Sequence, residues 1–232
     1  MTSSGTYSFQ PTAGQCVIAA YGRIQVHPPS LRAEHFNTAF MEQNLTMVKF
    51  SNLQPNLWSV DLQTVTLTPG VATISIPSNT VLILDAYITT NPGSPTSQVN
   101  RYITQLSRTE YASLSNPNAQ GAPTQIWFNR QISPTVSFWP VPDTNGPYTF
   151  SYYRVAQLQD VSVANAQTLN LPYLWLDAYI AELSSRFSKY YAPQFEDKRK
   201  IDANEAWNIA AQQNIEVVNI SIAPPISRFY PR

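Results

Sequence analysis

The property that most restricts this chain is a double change of hydrophobic period. Up to Pro55 the apolar residues recur every three or four positions, between Pro55 and Thr168 they alternate, and beyond Asn170 the helical spacing returns. Apolar stripes at both ends need cover, and helix against helix with short connections is the simplest way to provide it. The expected fold class is therefore α+β: an antiparallel helical bundle formed by N- and C-terminal helices, an inserted antiparallel β domain, and an extended C-terminal tail. The expected divisions are an arm at 1–10, helical halves at 11–54 and 169–219, the β domain at 55–168 and the tail at 220–232.

Pro11 and Thr12 open the first helix, whose apolar side carries Cys16, Ile18, Ala19, Ile24 and Val26 and which stops at Pro28-Pro29. Ser30 reads as the N-cap of a second helix. There Phe36, Phe40, Leu45 and Val48, with Ala39 and Met47, are predicted to turn one apolar face inward. Asn170 and Pro172 lead into a helix from Leu174 to Tyr191. Its apolar side is Leu176, Ile180, Leu183, Phe187 and Tyr190, while Asp177, Glu182, Arg186 and Lys189 occupy other faces. Pro193 breaks it, and Gln194 to Asn219 forms a last helix through Ile201, Ala206, Trp207, Ala210 and Ile215.

In the β region Trp58, Val60 and Leu62, then Val65 and Leu67, alternate with polar residues and predict a strand with one wet face. Pro69-Gly70 turns the chain into Val71, Ile74 and Ile76. Val81 to Ile88 is continuous enough to be buried on both faces, and Asn91 to Asn100 is an exposed loop. Tyr102 to Leu106 is a short strand, and Arg108 to Leu114 makes one or two helical turns. Gln125 to Asn129 and Thr135 to Trp139 are strands, the second ended by Pro140 and Pro142, and Tyr148 to Val155 is expected to return beside it.

Formal net charge is zero and 12% of residues are charged, about half the usual share. Such a neutral surface suits a subunit of an assembly, because net charge is what keeps many soluble proteins apart. It also lacks the basic patch of a sequence-specific nucleic-acid binder. No apolar run reaches the roughly 18–20 residues that cross a bilayer, and Met1 to Gln10 has neither a basic start nor an apolar stretch, so it is read as a flexible or assembly-ordered arm. The lone Cys16 sits among apolar residues and is expected to be buried. His27 and His35 flank a Pro-Pro turn without a metal-ligand spacing, and no phosphate loop or nucleophile motif occurs. No cofactor, no metal and no catalysis are expected; a hydrolase built on Asp61, Asp85, Asp143 or Asp160 would lack a general base.

Read in order, Trp139-Pro140-Val141-Pro142-Asp143, then Tyr148 to Arg154 with its Tyr152-Tyr153-Arg154 end, then Pro172-Tyr173-Leu174-Trp175 opening a helix, resembles the adaptor proteins of tailed phages. That family includes the tail tubular A proteins of short-tailed phages. The likeness begins at Gln15 to Ile24, continues through Leu57 to Asp61 and ends in the helix Leu174 to Tyr191. It implies a structural virion protein of the head–tail interface, assembled in the host cytoplasm. Its copies would form a closed, usually dodecameric ring that joins the portal protein to tail nozzle or tail tube proteins and continues the DNA exit channel. Packaged DNA would be a non-specific neighbour, and no membrane anchor is implied.

Two segments are then candidates for contact. In the tail, Ile220, Ile222 and Ile226 followed by Arg228, Phe229, Tyr230 and Arg232 would dock on the portal, partly by strand addition, as related adaptors use their C-terminal segments; alternatively Phe229 and Tyr230 cover the protein's own helices. The charged set Arg186, Lys189, Glu196, Asp197, Lys198, Arg199 and Lys200 is either a solvated, salt-bridged surface or the place where opposite charges on adjacent subunits set register. An alternative function is a carbohydrate-binding virion or tail module, with Trp58, Trp127, Trp139 and many of the strand tyrosines stacking on sugars.

Overall fold

The computed structural model describes residues 5–53, 57–162 and 167–215. The chain is mixed α+β, with five α-helices and several sheets among the described residues. Helix α1 (Ala13–Arg23) begins at a capping box. The Thr12 hydroxyl accepts from the Gln15 amide, and the Gln15 side chain accepts from the Thr12 amide. Pro28–Ser30 then forms a single 3-10 turn, and helix α2 runs from Ala33 to Leu53. The cap predicted at Ser30 is absent because Ser30 is held inside that turn, its amide donating to the His27 carbonyl. His35 supplies a substitute: its Nδ1 accepts the Arg32 amide at 3.1 Å.

The β region has two four-stranded sheets. One has the order β1 (Val60–Leu67), β10 (Tyr148–Ala156), β3 (Thr80–Thr90), β4 (Val99–Tyr102), antiparallel throughout. The other has the order β2 (Thr73–Ser75), β8 (Thr135–Trp139), β7 (Gln125–Asn129), β5 (Thr104–Leu106). Pairing is not purely antiparallel: β5 lies parallel to β7, and the short β6 (Gln120–Gly121) lies parallel to β9 (Val141–Pro142). The segment predicted as one strand at Tyr102 to Leu106 changes sheets at the buried Ile103. Between β1 and β2, Gly70 at φ +79 supplies the left-handed turn conformation that disfavours a side chain.

The two sheets share a core of Leu67, Ile83, Ile88, Ile126, Phe128, Val136, Phe138, Phe150 and Tyr152 among others. Three expectations change here. Strand β10 pairs with β1 and β3, not with β8. The proline-bounded segment after Trp139 carries the chain across the core, so Phe138 and Phe150 meet edge to face at 5.0 Å instead of lying on neighbouring strands. Strand β3 is interior to its sheet yet only partly covered: Ile83, Ala86, Ile88 and Thr89 are buried, while Leu84 and Asp85, opposite an irregularity in β10, are exposed. In β1 the inward phase belongs to Asp61, Val65 and Leu67, and Leu62 faces out, because Arg154 draws Asp61 to the core side with bonds of 2.8 and 3.0 Å.

The second core is helical. The short helix α3 (Arg108–Ala112) stays with the sheets, its Tyr111 stacked on Trp127. Helix α4 (Leu176–Tyr191), preceded by a 3-10 turn at Tyr173–Trp175, is buried on most of its circumference: Leu176, Ala178, Tyr179, Ala181, Leu183, Ser184, Phe187 and Ser188 are all covered. Helix α5 (Glu196–Gln212) lays the small residues Ala203, Ala206 and Ala210 inward, which lets it approach α4 closely. Ile201 and Ile215, predicted as its apolar face, are exposed instead, and so is most of Tyr190. Residues of α1, α2, α4 and α5 join in one cluster with Leu158, Val161, Leu169 and Leu171. Asn44 of α2 fastens that connecting strand, its side chain bonding both the carbonyl and the amide of Val161 at 3.0 and 2.8 Å.

Candidate functional site

Helix α2 inverts the usual arrangement. Its buried side is His35, Ala39, Glu42, Gln43, Thr46, Met47 and Phe50, and its exposed side holds Phe36, Phe40, Met41, Leu45 and Val48. The apolar face predicted to point inward therefore points out, apart from Ala39 and Met47. The cause is the chemistry of α4. Glu42 accepts Arg186 Nη1 at 2.8 Å and the Tyr190 hydroxyl at 2.9 Å, while Gln43 accepts the Tyr179 hydroxyl at 3.1 Å. Glu182 of α4 accepts Arg186 Nε at 3.0 Å and Lys49 Nζ at 2.8 Å. A polar α4 surface needs polar partners, so α2 turns its polar stripe toward it.

This network is balanced, with two carboxylates and two cations. Burial works against the Arg186 charge, yet its hydrogen bond to Glu42 and the Glu182 carboxylate together hold its pKa above the ordinary arginine value. The Glu42 hydrogen bond likewise raises the Tyr190 phenol. Beside the network, a surface depression of about 300 Å³ between α2, α4 and α5 is lined by Lys49, Glu182, Arg186, Lys189, Glu196 and Lys200, with Ser185, Ala203 and Asn204.

Of the seven charged residues named from the sequence, Arg186, Lys189, Glu196 and Lys200 converge on that depression. Asp197 and Lys198 stand exposed on the first turn of α5, and Arg199 is spent within the helix on Asp202 at 3.1 Å. Ile220, Ile222, Ile226, Arg228, Phe229, Tyr230 and Arg232 lie outside the described residues. The exposed face of α2 is the feature that sequence reasoning placed wrongly. A signal was available: Ala39, Met47 and Phe50 form a second apolar set on the same helix, so one stripe had to be surplus to the chain's own core.

The residues raised for other chemistry have structural work. His35 stacks on Tyr191 at 4.4 Å and meets Tyr21 edge to face at 5.5 Å. Burial pushes the Cys16 thiol up to about 11, so it stays protonated at neutral pH. Asp61 holds Arg154, and Asp143 closes its turn by accepting the Asn145 amide and the Tyr148 hydroxyl. Trp58 packs on Trp175 at 5.0 Å, Trp127 on Tyr111 at 5.1 Å, and Trp139 donates its indole N–H to the Asn116 carbonyl. Among the described residues no group of three or more His, Cys, Asp and Glu side chains could hold a metal ion, and no helix is long and apolar enough to cross a membrane.

The outer sheet face formed by β1, β10, β3 and β4 is equally free of charge in its central rows. Thr64, Ser151, Tyr87 and Tyr102 stand in register, followed by Thr66, Thr149, Thr89 and Asn100. The family model described as SU10 adaptor protein matches residues 37–221, spanning the sheets and most of the helical elements. No curated protein matches the chain.

Proposed function

We propose, from the premise that this chain belongs to the SU10 adaptor protein family, that its copies form a closed ring joining the portal to the tail and continuing the DNA exit channel. Family membership makes it a phage adaptor, a structural component of the virion. The observation that carries the finer reading is the outward turn of Phe36, Phe40, Met41, Leu45 and Val48 on α2: an uncharged apolar face of this kind belongs on a subunit whose surface is covered by protein. A ring requires heterologous contacts, in which two different patches of the same subunit meet.

In this reading the exposed charges at the start of α5, Asp197, Lys198 and Lys200, act between subunits, with Lys189 and Glu196 beside them. They set register more than affinity. Residues 220–232, with Ile220, Ile222, Ile226, Phe229 and Tyr230 as anchors and Arg228 and Arg232 at the rim, dock on the portal. Zero net charge suits a channel wall that packaged DNA slides past, because few phosphates would be neutralised. The carbohydrate-binding alternative loses its tryptophans, since Trp58, Trp127 and Trp139 are each engaged within the chain, and is left with strand tyrosines such as the exposed Tyr102 and Tyr153.

Co-sedimentation with the cognate portal, comparing the full chain with one ending at Asn219, tests the reading. The expected result is portal binding that depends on the last residues. Binding without them would move the contact to the helical unit, and no binding by either form would overturn the adaptor-to-portal assignment.

A further inference from the structure

We infer that in the free subunit residues 217–223 add a fifth strand to the β1–β10–β3–β4 sheet, on the open edge of β1. Strand β1 has eight residues and pairs with β10 in unbroken register, from Val60↔Val155 to Leu67↔Tyr148. In such a pair half of the residues direct their N–H and C=O groups away from the partner strand. Among the described residues no backbone group of β1 bonds to anything other than β10. Sheet edges are ordinarily blunted by shortness, by Lys or Pro, or by a bulge. The other edges of the two four-stranded sheets follow that rule: β2 and β5 have three residues each, and β4 has four with Arg101 among them. Strand β1 has none of these devices, and its one charge, Asp61, is turned to Arg154. Its inward-phase Gln63 and Val65 are only partly covered, so the core also lacks a wall on this side.

The place where the described chain leaves the fold identifies the occupant. Asn214, two residues past α5, accepts the Leu57 amide through Oδ1 at 2.9 Å, and Leu57 lies three residues before Val60. The chain therefore departs beside the start of β1, and the residues that follow run along its edge in the parallel direction. Val217 to Ala223 span about 23 Å at ~3.3 Å per residue, against about 26 Å for β1. Pro224 and Pro225 cannot donate to a ladder and end the pairing there.

The side-chain alternation suits both faces of the sheet. Val218, Ile220 and Ile222 fall on one side, which matches the inward phase of Val65 and Leu67. Val217, Asn219 and Ser221 fall on the other and extend the uncharged outer rows, Thr64 with Ser151 and Thr66 with Thr149. A slip of one residue would move all three inward side chains into water, so the register has a strong preference. The pairing also bears on partners: one that takes Ile220 and Ile222 by strand addition must first draw them off β1, whereas Ile226 to Arg232, beyond the proline pair, stay available.

Amide hydrogen exchange of the dilute full chain, read on the β1 segment, tests this against a chain ending at Ile215 and against Ile220→Pro, which removes a ladder donor outside both cores. In each variant β1 should exchange about tenfold faster than in the parent, while β4 is unchanged. Disulfide trapping reads the geometry. Thr64→Cys should close a bond within one chain with at least one of Asn219→Cys and Ser221→Cys, which share its face, and not with Ile220→Cys. Cys16 is buried and does not compete. Equal β1 exchange in all three chains, or cross-linking that ignores the face, overturns the pairing. A bond found only between chains, as a covalent dimer, overturns it as well and gives the edge to a neighbour's segment. The readout is the free subunit and does not depend on the portal reading. Protection of β1 with no portal binding sinks only the adaptor-to-portal assignment, and portal binding with no protection of β1 sinks only the fifth strand.

Discussion

The two cores of this protein sort their residues by opposite rules. The sheets turn Leu67, Ile83, Ile126, Phe138 and Phe150 inward and leave Thr64, Thr66, Tyr87, Asn100 and Tyr102 on the outer face of the first sheet. The helical core buries Glu42, Gln43, Thr46, Ser184 and Ser188, and leaves Phe36, Phe40, Met41, Leu45 and Val48 outside. Where a face has only its own chain and water to choose between, polarity alone decides which side is buried. In the helical core α2 satisfies its polar stripe internally, on α4, and its apolar stripe is left at the surface. The Glu42–Arg186–Glu182–Lys49 network is what makes this inversion affordable, since each buried charge has a partner.

The contrast can be broken experimentally, beginning with the apolar centre that both cores retain. Phe187 is fully buried and stacked on Tyr21 at 4.2 Å, so Phe187→Ala should cost about 3–5 kcal/mol in urea denaturation. A loss under about 1 kcal/mol would mean that the helical core relies on its polar contacts instead. Next comes the network. Arg186→Met leaves Glu42, whose side chain is 9% exposed, without its cation and should cost about 3 kcal/mol. Adding Glu42→Leu should recover most of that, and a double variant no more stable than the single one would show that the pair is not what orients α2.

The sheet's ion pair, a buried Arg154 held by a half-exposed Asp61, should respond to acid. The hydrogen bond from Arg154 holds the Asp61 carboxyl below its usual pKa, with burial opposing and Gln63 assisting. A lowered folded pKa means that the stabilisation is present above the unfolded value of about 3.9 and is lost as pH falls through the folded value. Asp61→Asn should therefore be less stable than the parent at pH 7, and the two denaturation midpoints should converge as the pH falls through the lowered folded value. Midpoints that stay equal at pH 7 would reduce the Asp61–Arg154 pair to a surface contact. The smallest effect is expected on the exposed stripe: Phe40→Ser should alter the unfolding free energy by no more than about 0.5 kcal/mol. A larger loss would mean that the stripe is covered within the chain.

Much of the plan was legible in residue order. Pro11 and Thr12 mark the start of the first helix and the alternation after Pro55 marks the sheets, whereas the capping boxes Thr12–Gln15 and Ser107–Glu110 emerge only in the structure. Pro140 and Pro142 did end β8, but they could not tell whether the chain would turn back beside it or cross to the other sheet. Both paths satisfy a proline stop, and pairing depends on strands distant in sequence. Of the apolar residues read along α5, Ala206 and Ala210 do face inward, joined by Ala203, because small side chains allow α5 to lie close to α4, while Ile201 stays outside. The charged set fared unevenly: its i,i+3 pairing at Arg199 and Asp202 was readable, while the engagement of Arg186 with Glu42 joins residues 144 apart in the chain.

By itself the sequence determined the local terms: which segments are helical or extended, where prolines and caps bound them, and that the surface is short of charge. Those follow from backbone sterics and side-chain period, which act over a few residues. Only the tertiary structure decided which of two apolar stripes on α2 is covered, which phase of β1 faces the core, and which sheet receives β10. Each of those choices rests on pairing polar groups that the chain brings together from far apart: Glu42 with Arg186, and Asp61 with Arg154. A buried charge without its partner costs more than an exposed phenylalanine, so the ion pairs set the orientation and the apolar residues followed.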